Sequence, residues 1–203
     1  MVFCDPKFVI PVIFTTLEEN LTGKKTKVTQ FMKQIASYGG LAAEVSQGAN
    51  TLLAMVEDPE CKVFLIVQVG IRDLCEGEVE RIKSDRRIIM FDDWQLKDNA
   101  YSGMNWATQC EKIIATLPEL VYISFDIDGL APEFCPNTGT PVPGGLDFNQ
   151  AIYLLQKLVK AGKTIIGFDL CEVAPGDRGE WDGNVGARLL YKLANLMYLS
   201  RMQ

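Results

Sequence analysis

Between Val121 and Leu130 an apolar run of strand length turns acidic at its end: Val-Tyr-Ile-Ser-Phe-Asp-Ile-Asp-Gly-Leu. No other pattern constrains the fold of this chain as tightly. A continuous apolar run suits a strand buried in a parallel sheet. Side chains alternate along a strand, so Asp126 and Asp128 are expected on one face, with Cα atoms roughly 6–7 Å apart. Two carboxylates at a dry sheet end repel, and burial disfavours each charge. Protonation of one carboxylate relieves this, as does a cation between them. At neutral pH a hard divalent ion is the stronger remedy, because carboxylate oxygens suit Mg, Ca or Mn. The plainer alternative is a pair of turn carboxylates capping loop amides. The segment that follows, Gly129 to Gly145, is dense in Pro and Gly. It is expected to form a rigid wall beside a substrate.

Further runs of strand length lie at Val63–Ile71, Arg87–Phe91, Leu120–Ile127 and Thr164–Leu170. Helical spacing covers Glu76 to Lys83, and Asn105 to Leu117 with Pro118 as its stop. Asp147 is placed to N-cap a helix through Leu158, which Gly162 ends. A last helix opens at Asp182 or Asn184 and runs to about Ser200. Before these, Val28, Phe31, Met32 and Ile35 recur at helix spacing, and Leu41 to Val56 repeats the pattern ahead of Asp58-Pro59. The first part, to about Glu57, is therefore expected to be helical. The chain divides into a helical part, about 1–60, and an α/β part, 63–203, within one domain spanning 1–203. Alternating strands and helices predict an α/β fold with a mainly parallel sheet covered on both faces. Ligands bind such sheets at the carboxyl ends of the strands. Asp73, Asp126, Asp128 and Glu172 all fall at or just beyond those ends.

The 203 residues suit one ordinary domain, and a hydrophobic fraction of 48% supports a packed core. A net charge of −6 argues against nucleic acid as partner and agrees with a small cationic substrate. Six cysteines, at 4, 61, 75, 110, 135 and 171, show no paired spacing, and there is no histidine to complete a zinc site. They are expected to be free thiols in a reducing, cytoplasmic compartment. The first residues lack a signal-peptide pattern, and no apolar run approaches membrane-span length, so no membrane partner is expected.

Two motifs, Ser-Phe-Asp-Ile-Asp-Gly-Leu (124–130) and Thr-Gly-Thr-Pro-Val-Pro-Gly-Gly (138–145), together resemble the signature of the ureohydrolases, the arginase and agmatinase family. Gly167-Phe-Asp-Leu-Cys-Glu172 resembles that family's glutamate-bearing strand end, and Val67-Gln-Val-Gly-Ile-Arg-Asp73 the strand before both. The likeness runs from about Phe64 to Met197. It implies a three-layer α/β/α arginase-like fold and an assembly of trimers or hexamers. It implies two manganese ions bridged by a hydroxide that attacks a guanidinium carbon and releases urea. Asp126 and Asp128 would then be metal ligands. Glu172 would be the catalytic carboxylate that holds the guanidinium, and Thr140 would sit against the substrate. The chain departs from the family in having neither a Gly-Gly-Asp-His nor an Asp-Ala-His-x-Asp motif. A segment near Lys62–Phe64 is the expected place of the loss, leaving an incomplete sheet with exposed edges. Arginases carry a second acidic residue after Arg-Asp, where this chain has Cys75, so an agmatine-like substrate without an α-amino group is favoured. The alternatives are a formiminoglutamate-type hydrolase and an inactive remnant that keeps scaffold and subunit contacts.

Plainer readings stand beside these. Glu172 is as well explained by a salt bridge to Arg72 or Arg178. Arg72 and Asp73 suggest an ion pair bracing the strand end. Turn geometry accounts for much of Thr140, Gly139, Gly144 and Gly145. Trp94 and Trp181 suggest burial or a subunit contact. Asp177 to Asp182 suggests a solvated loop, and Lys24 to Lys27 a charged surface turn.

Overall fold

The computed structural model describes residues 12–17, 63–74, 76–176 and 179–203. Its strands are β1 (Val12–Leu17), β2 (Val63–Ile71), β3 (Ile88–Asp92), β4 (Leu120–Asp126) and β5 (Thr164–Cys171). Its helices are α1 (Glu76–Ser84), α2 (Asp93–Tyr101), α3 (Trp106–Ala115), α4 (Phe148–Lys160) and α5 (Trp181–Ser200). The sheet runs β3-β2-β1-β4-β5. β2 pairs parallel with β3 and β4 parallel with β5, while β1 lies antiparallel between β2 and β4. The four carboxyl ends that were expected to converge therefore face one way.

Residues 12–17 correct the helical reading of the N-terminal part. Val-Ile-Phe-Thr-Thr-Leu is rich in β-branched and aromatic residues, which suit a pleated surface better than a helix. It also corrects the expectation of bare inner edges, because β1 pairs with Val63 to Val69 of β2 on one side and Tyr122 to Phe125 of β4 on the other. The helices expected over 28–35 and 41–56, and the charged turn at 24–27, lie outside the described residues.

One buried cluster joins β2, β4 and β5 to helices α2 through α5. It contains Val67, Val69, Val121, Ile123, Phe125, Ile165, Leu96, Ile113, Leu155, Leu158, Leu189 and Leu193. In α4 the buried residues Ala151, Ile152, Leu154, Leu155, Leu158 and Val159 fall at helical spacing, and each fully buried leucine stabilises the fold by roughly 1.5–3 kcal/mol. Asp147 caps this helix as expected, accepting from Asn149 N at 2.7 Å, while Gln150 accepts from Asp147 N at 2.9 Å. Helix α2 has no counterpart in the sequence reading. Only Leu96 of its side chains is both apolar and buried, so the apolar period is too weak to see, and its start is set by Asp92 accepting from Gln95 N at 2.8 Å.

The opposite face of the β4–β5 pair is polar. Tyr122 and Ser124 donate to the Asp169 carboxylate at 2.9 and 2.7 Å, and Asp126 and Cys171 follow in register on the same face.

Candidate functional site

Strand β4 ends at Asp126, and Ile127–Gly129 turn at once into a single 3₁₀ turn. This corrects the expectation that both aspartates leave one strand face. Asp126 caps the turn, its Oδ1 accepting from the Asp128 amide at 3.3 Å, which is the plainer capping role realised for one of the two. Asp128 is buried within the turn, at 1% exposure. Its Oδ2 accepts from Thr140 Oγ1 at 2.7 Å, and its Oδ1 is buried with no hydrogen-bond partner. Burial first, then the charge of Asp128 and of Glu172, pushes the Asp126 carboxyl well above the ordinary range. Burial also raises Asp128, against the opposing pull of Thr140 and Arg72.

The loop that follows is pinned at both ends. Ala131 N donates to Leu146 O at 2.9 Å, and Leu146 N donates to Gly129 O at 3.0 Å. Gly144 and Gly145 hold positive φ values of +100° and +93°, and a Cβ on either would press into Asp93 or Arg72. The loop's middle is fixed to α5. Asn137 gives both its backbone N and Nδ2 to the Asp182 carboxylate, at 2.9 and 2.8 Å. Asp182 is fully buried in the first turn of α5, so the acidic stretch before it is not wholly a solvated loop. Residues 177 and 178, including Arg178, lie outside the described residues.

Glu172 follows β5 directly, at a φ of +60°. Its carbonyl accepts from Thr138 Oγ1 at 3.1 Å, and its Oε2 stands 3.2 Å from where a Cβ on Gly139 would sit. The structure thus brings Asp126, Asp128, Thr140 and Glu172 together from three separated segments. Asp73, also at positive φ, is exposed, and among the described residues it forms no ion pair with Arg72. The salt bridge proposed between Arg72 and Glu172 is likewise absent among these residues. Trp94 and Trp181 are 75% and 52% exposed, so burial does not explain them. Trp181 Nε1 donates to Glu133 O at 2.8 Å.

Asp93 and Asn137 carry no expectation from the sequence, and Asp182 only that of a helix start or a solvated loop. Their signal is weak, since a buried acidic residue and a surface one look alike before the fold is known. Asp169 stood inside a recognised motif, but its hydroxyl partners on β4 depend on strand register.

Chemically, the cluster is an acidic patch with one exposed carboxylate, Glu172, and one bare buried oxygen, Asp128 Oδ1. A planar cation can meet a carboxylate by paired hydrogen bonds. The donors do not fit a pair of manganese ions. Two carboxylates are too few, the chain has no histidine, and no group of three metal-ligating residues occurs among the described residues.

A family model described as "Arginase family" matches residues 17–195. The chain is 31% identical over 134 residues to an N(1)-aminopropylagmatine ureohydrolase of Thermus thermophilus, covering 66% of this chain and 42% of that protein. It is 35% identical over 128 residues to an agmatinase of Escherichia coli, covering 63% and 38%. Among solved structures, a hypothetical agmatinase from Burkholderia thailandensis superposes with a TM-score of 0.53 at 32% identity, covering 67% and 39%. An arginase from Bacillus subtilis gives 0.54 at 28%, covering 63% and 43%. The chain spans about two fifths of the length of the relatives it matches.

Proposed function

Because this chain belongs to the arginase family, we propose that it carries the guanidinium-holding side of a ureohydrolase centre. The reaction is hydrolysis of a C–N bond in a small guanidino compound, giving urea and an amine. One observation carries the reading: Glu172, Thr140 and the Asp126–Asp128 pair converge at the carboxyl ends of adjacent parallel strands. Glu172 accepts hydrogen bonds from the guanidinium, and its strained backbone holds the carboxylate in place. Thr140, fixed by Asp128, lines the bound substrate. Fixing a substrate in this way can lower a barrier by several kcal/mol. The manganese dependence of the family reading needs donors beyond the two aspartates here. An agmatine-like substrate fits Cys75 in place of a second acid, and a formiminoglutamate-type substrate is the nearest alternative. A cytoplasmic location, no membrane or nucleic-acid partner, and a homo-oligomer (trimer or hexamer) complete the proposal.

Urea release from agmatine, arginine and formimino compounds in added Mn²⁺ is the test of activity. Product that disappears in Glu172→Gln supports the proposal. No product from any substrate leaves the second reading, a scaffold that joins a full-length companion, which the missing histidines favour. Calorimetry with Mn²⁺ separates the two, because tight binding of two ions per chain contradicts the scaffold reading.

A further inference from the structure

Arg72 follows β2 and is 8% exposed, yet among the described residues no carboxylate lies within ion-pair distance of it. Its donors go instead to main-chain oxygens. Nη2 donates to Asp128 O at 2.5 Å, while Nη1 lies 3.5 Å from Gly129 O and 3.4 Å from Gly70 O. Nε is buried and unpartnered. The same guanidinium lies beneath the loop's glycine pair. A Cβ on Gly145 would stand 2.7 Å from Nη1, and one on Gly144 3.1 Å from Cδ. Lys97 reinforces this contact by donating to Gly145 O at 2.9 Å. A buried cation is costly, and a planar fork reaches several carbonyls where an ammonium reaches one.

We propose that Arg72 is a positioning residue: its guanidinium clamps the 128–129 carbonyls against Gly144–Gly145, so that the aspartate turn and the substrate loop are set as one unit. The proposal rests on reading Asp128 and Thr140 as site residues, since their hydrogen bond spans these two segments. Cys135 supplies a built-in reporter. It is buried beneath the turn and its Sγ donates to Ile127 O at 3.2 Å, so its alkylation reports opening of this region.

Peptide-resolved amide exchange and N-ethylmaleimide labelling of Cys135, both read by mass spectrometry on the full chain, test the clamp. In Arg72→Met, exchange at 127–131 and 144–146 and labelling of Cys135 should each rise at least about tenfold, with α5 changing less than about twofold. Arg72→Lys should restore part of the protection. Gly145→Ala, whose Cβ would press on Arg72 Nη1 and on the Leu130 carbonyl alike, should loosen the same two segments, and Arg72→Lys carries the test where Arg72→Met does not fold. Unchanged rates in these segments would overturn the proposal. So would equal acceleration of α5, because that marks a general loss of stability. None of these readouts uses urea release, so a failure here and a failure of the proposed activity remain separable.

Discussion

Glu172 holds a backbone conformation that few glutamates adopt, with φ at +60°, and Asp73 does the same at +54°, each just past a strand end. For a residue with a Cβ this region costs about 1–2 kcal/mol, which Gly avoids. Glu172→Gly should therefore raise the chain's stability by up to about 1 kcal/mol while removing its affinity for guanidino compounds. Equilibrium urea unfolding checks the first part, and a lowered midpoint contradicts it. Thr140 presents the reverse case. Asp128 Oδ1 already lacks a partner, so Thr140→Val takes the donor from Oδ2 of a buried carboxylate and should cost about 1–3 kcal/mol. A midpoint unchanged by Thr140→Val would show the hydrogen bond to be idle. The aspartates also set a pH dependence. Their carboxyls titrate above the ordinary 3.8, so above that pH the native chain binds more protons than the unfolded one. Stability without divalent ions should fall as pH rises from 3.8 through the raised values, and Asp126→Asn should flatten the slope. An equal or steeper slope in Asp126→Asn contradicts the assignment. Asp85 acts in the opposite sense. The Arg87 guanidinium, hydrogen-bonded to it, holds its carboxyl at about 2, so its contribution is present above 3.8 and is lost as pH falls towards 2. Arg87 is 41% exposed, so solvent reduces that contribution to about 1 kcal/mol or less.

At the level of elements, β1 decides whether the sheet is one body or two. It pairs with both inner edges, so the β3-β2 and β4-β5 pairs are joined through it. Proline removes a ladder donor and is excluded from central strands. Phe14→Pro should therefore destabilise the chain by about 3 kcal/mol or more and promote association through the freed edges. Sedimentation velocity combined with denaturation measures both, and a stable monomeric variant would mean that β1 is dispensable. The helices follow ordinary packing rules. Leu155 is 1% exposed on α4, and Leu155→Ala should cost about 2–5 kcal/mol. The short turn after β4 matters more for the site. It takes Asp128 out of strand geometry and places its carboxylate under Thr140 while keeping it within reach of the Asp126 carboxyl.

Across the whole molecule, the parallel frame was plain in the sequence, because Val63–Ile71, Leu120–Asp126 and Thr164–Cys171 are mainly apolar runs with Asp73, Asp126 and Glu172 at or just beyond their ends. Strand ends alone pointed to Asp73, Asp126, Asp128 and Glu172; Asp73 stands exposed, and Thr140 entered only through the family resemblance. What the sequence hid depends on contacts distant along the chain. Arg72 reaches a carbonyl 56 residues away, and Asn137 reaches Asp182 across 45. No local pattern encodes either. The strand at 12–17 was hidden for a related reason, since a short run of Val, Ile, Phe and Thr becomes a strand only where two unpaired edges await it. The proposed guanidinium site at this carboxylate-lined end of the sheet depends on Glu172. Calorimetric titration of agmatine into the wild-type chain and into Glu172→Gln tests it most directly. Saturable binding that weakens at least about tenfold in Glu172→Gln is the predicted result. Equal binding by the two folded proteins, or none by the wild type, would contradict it.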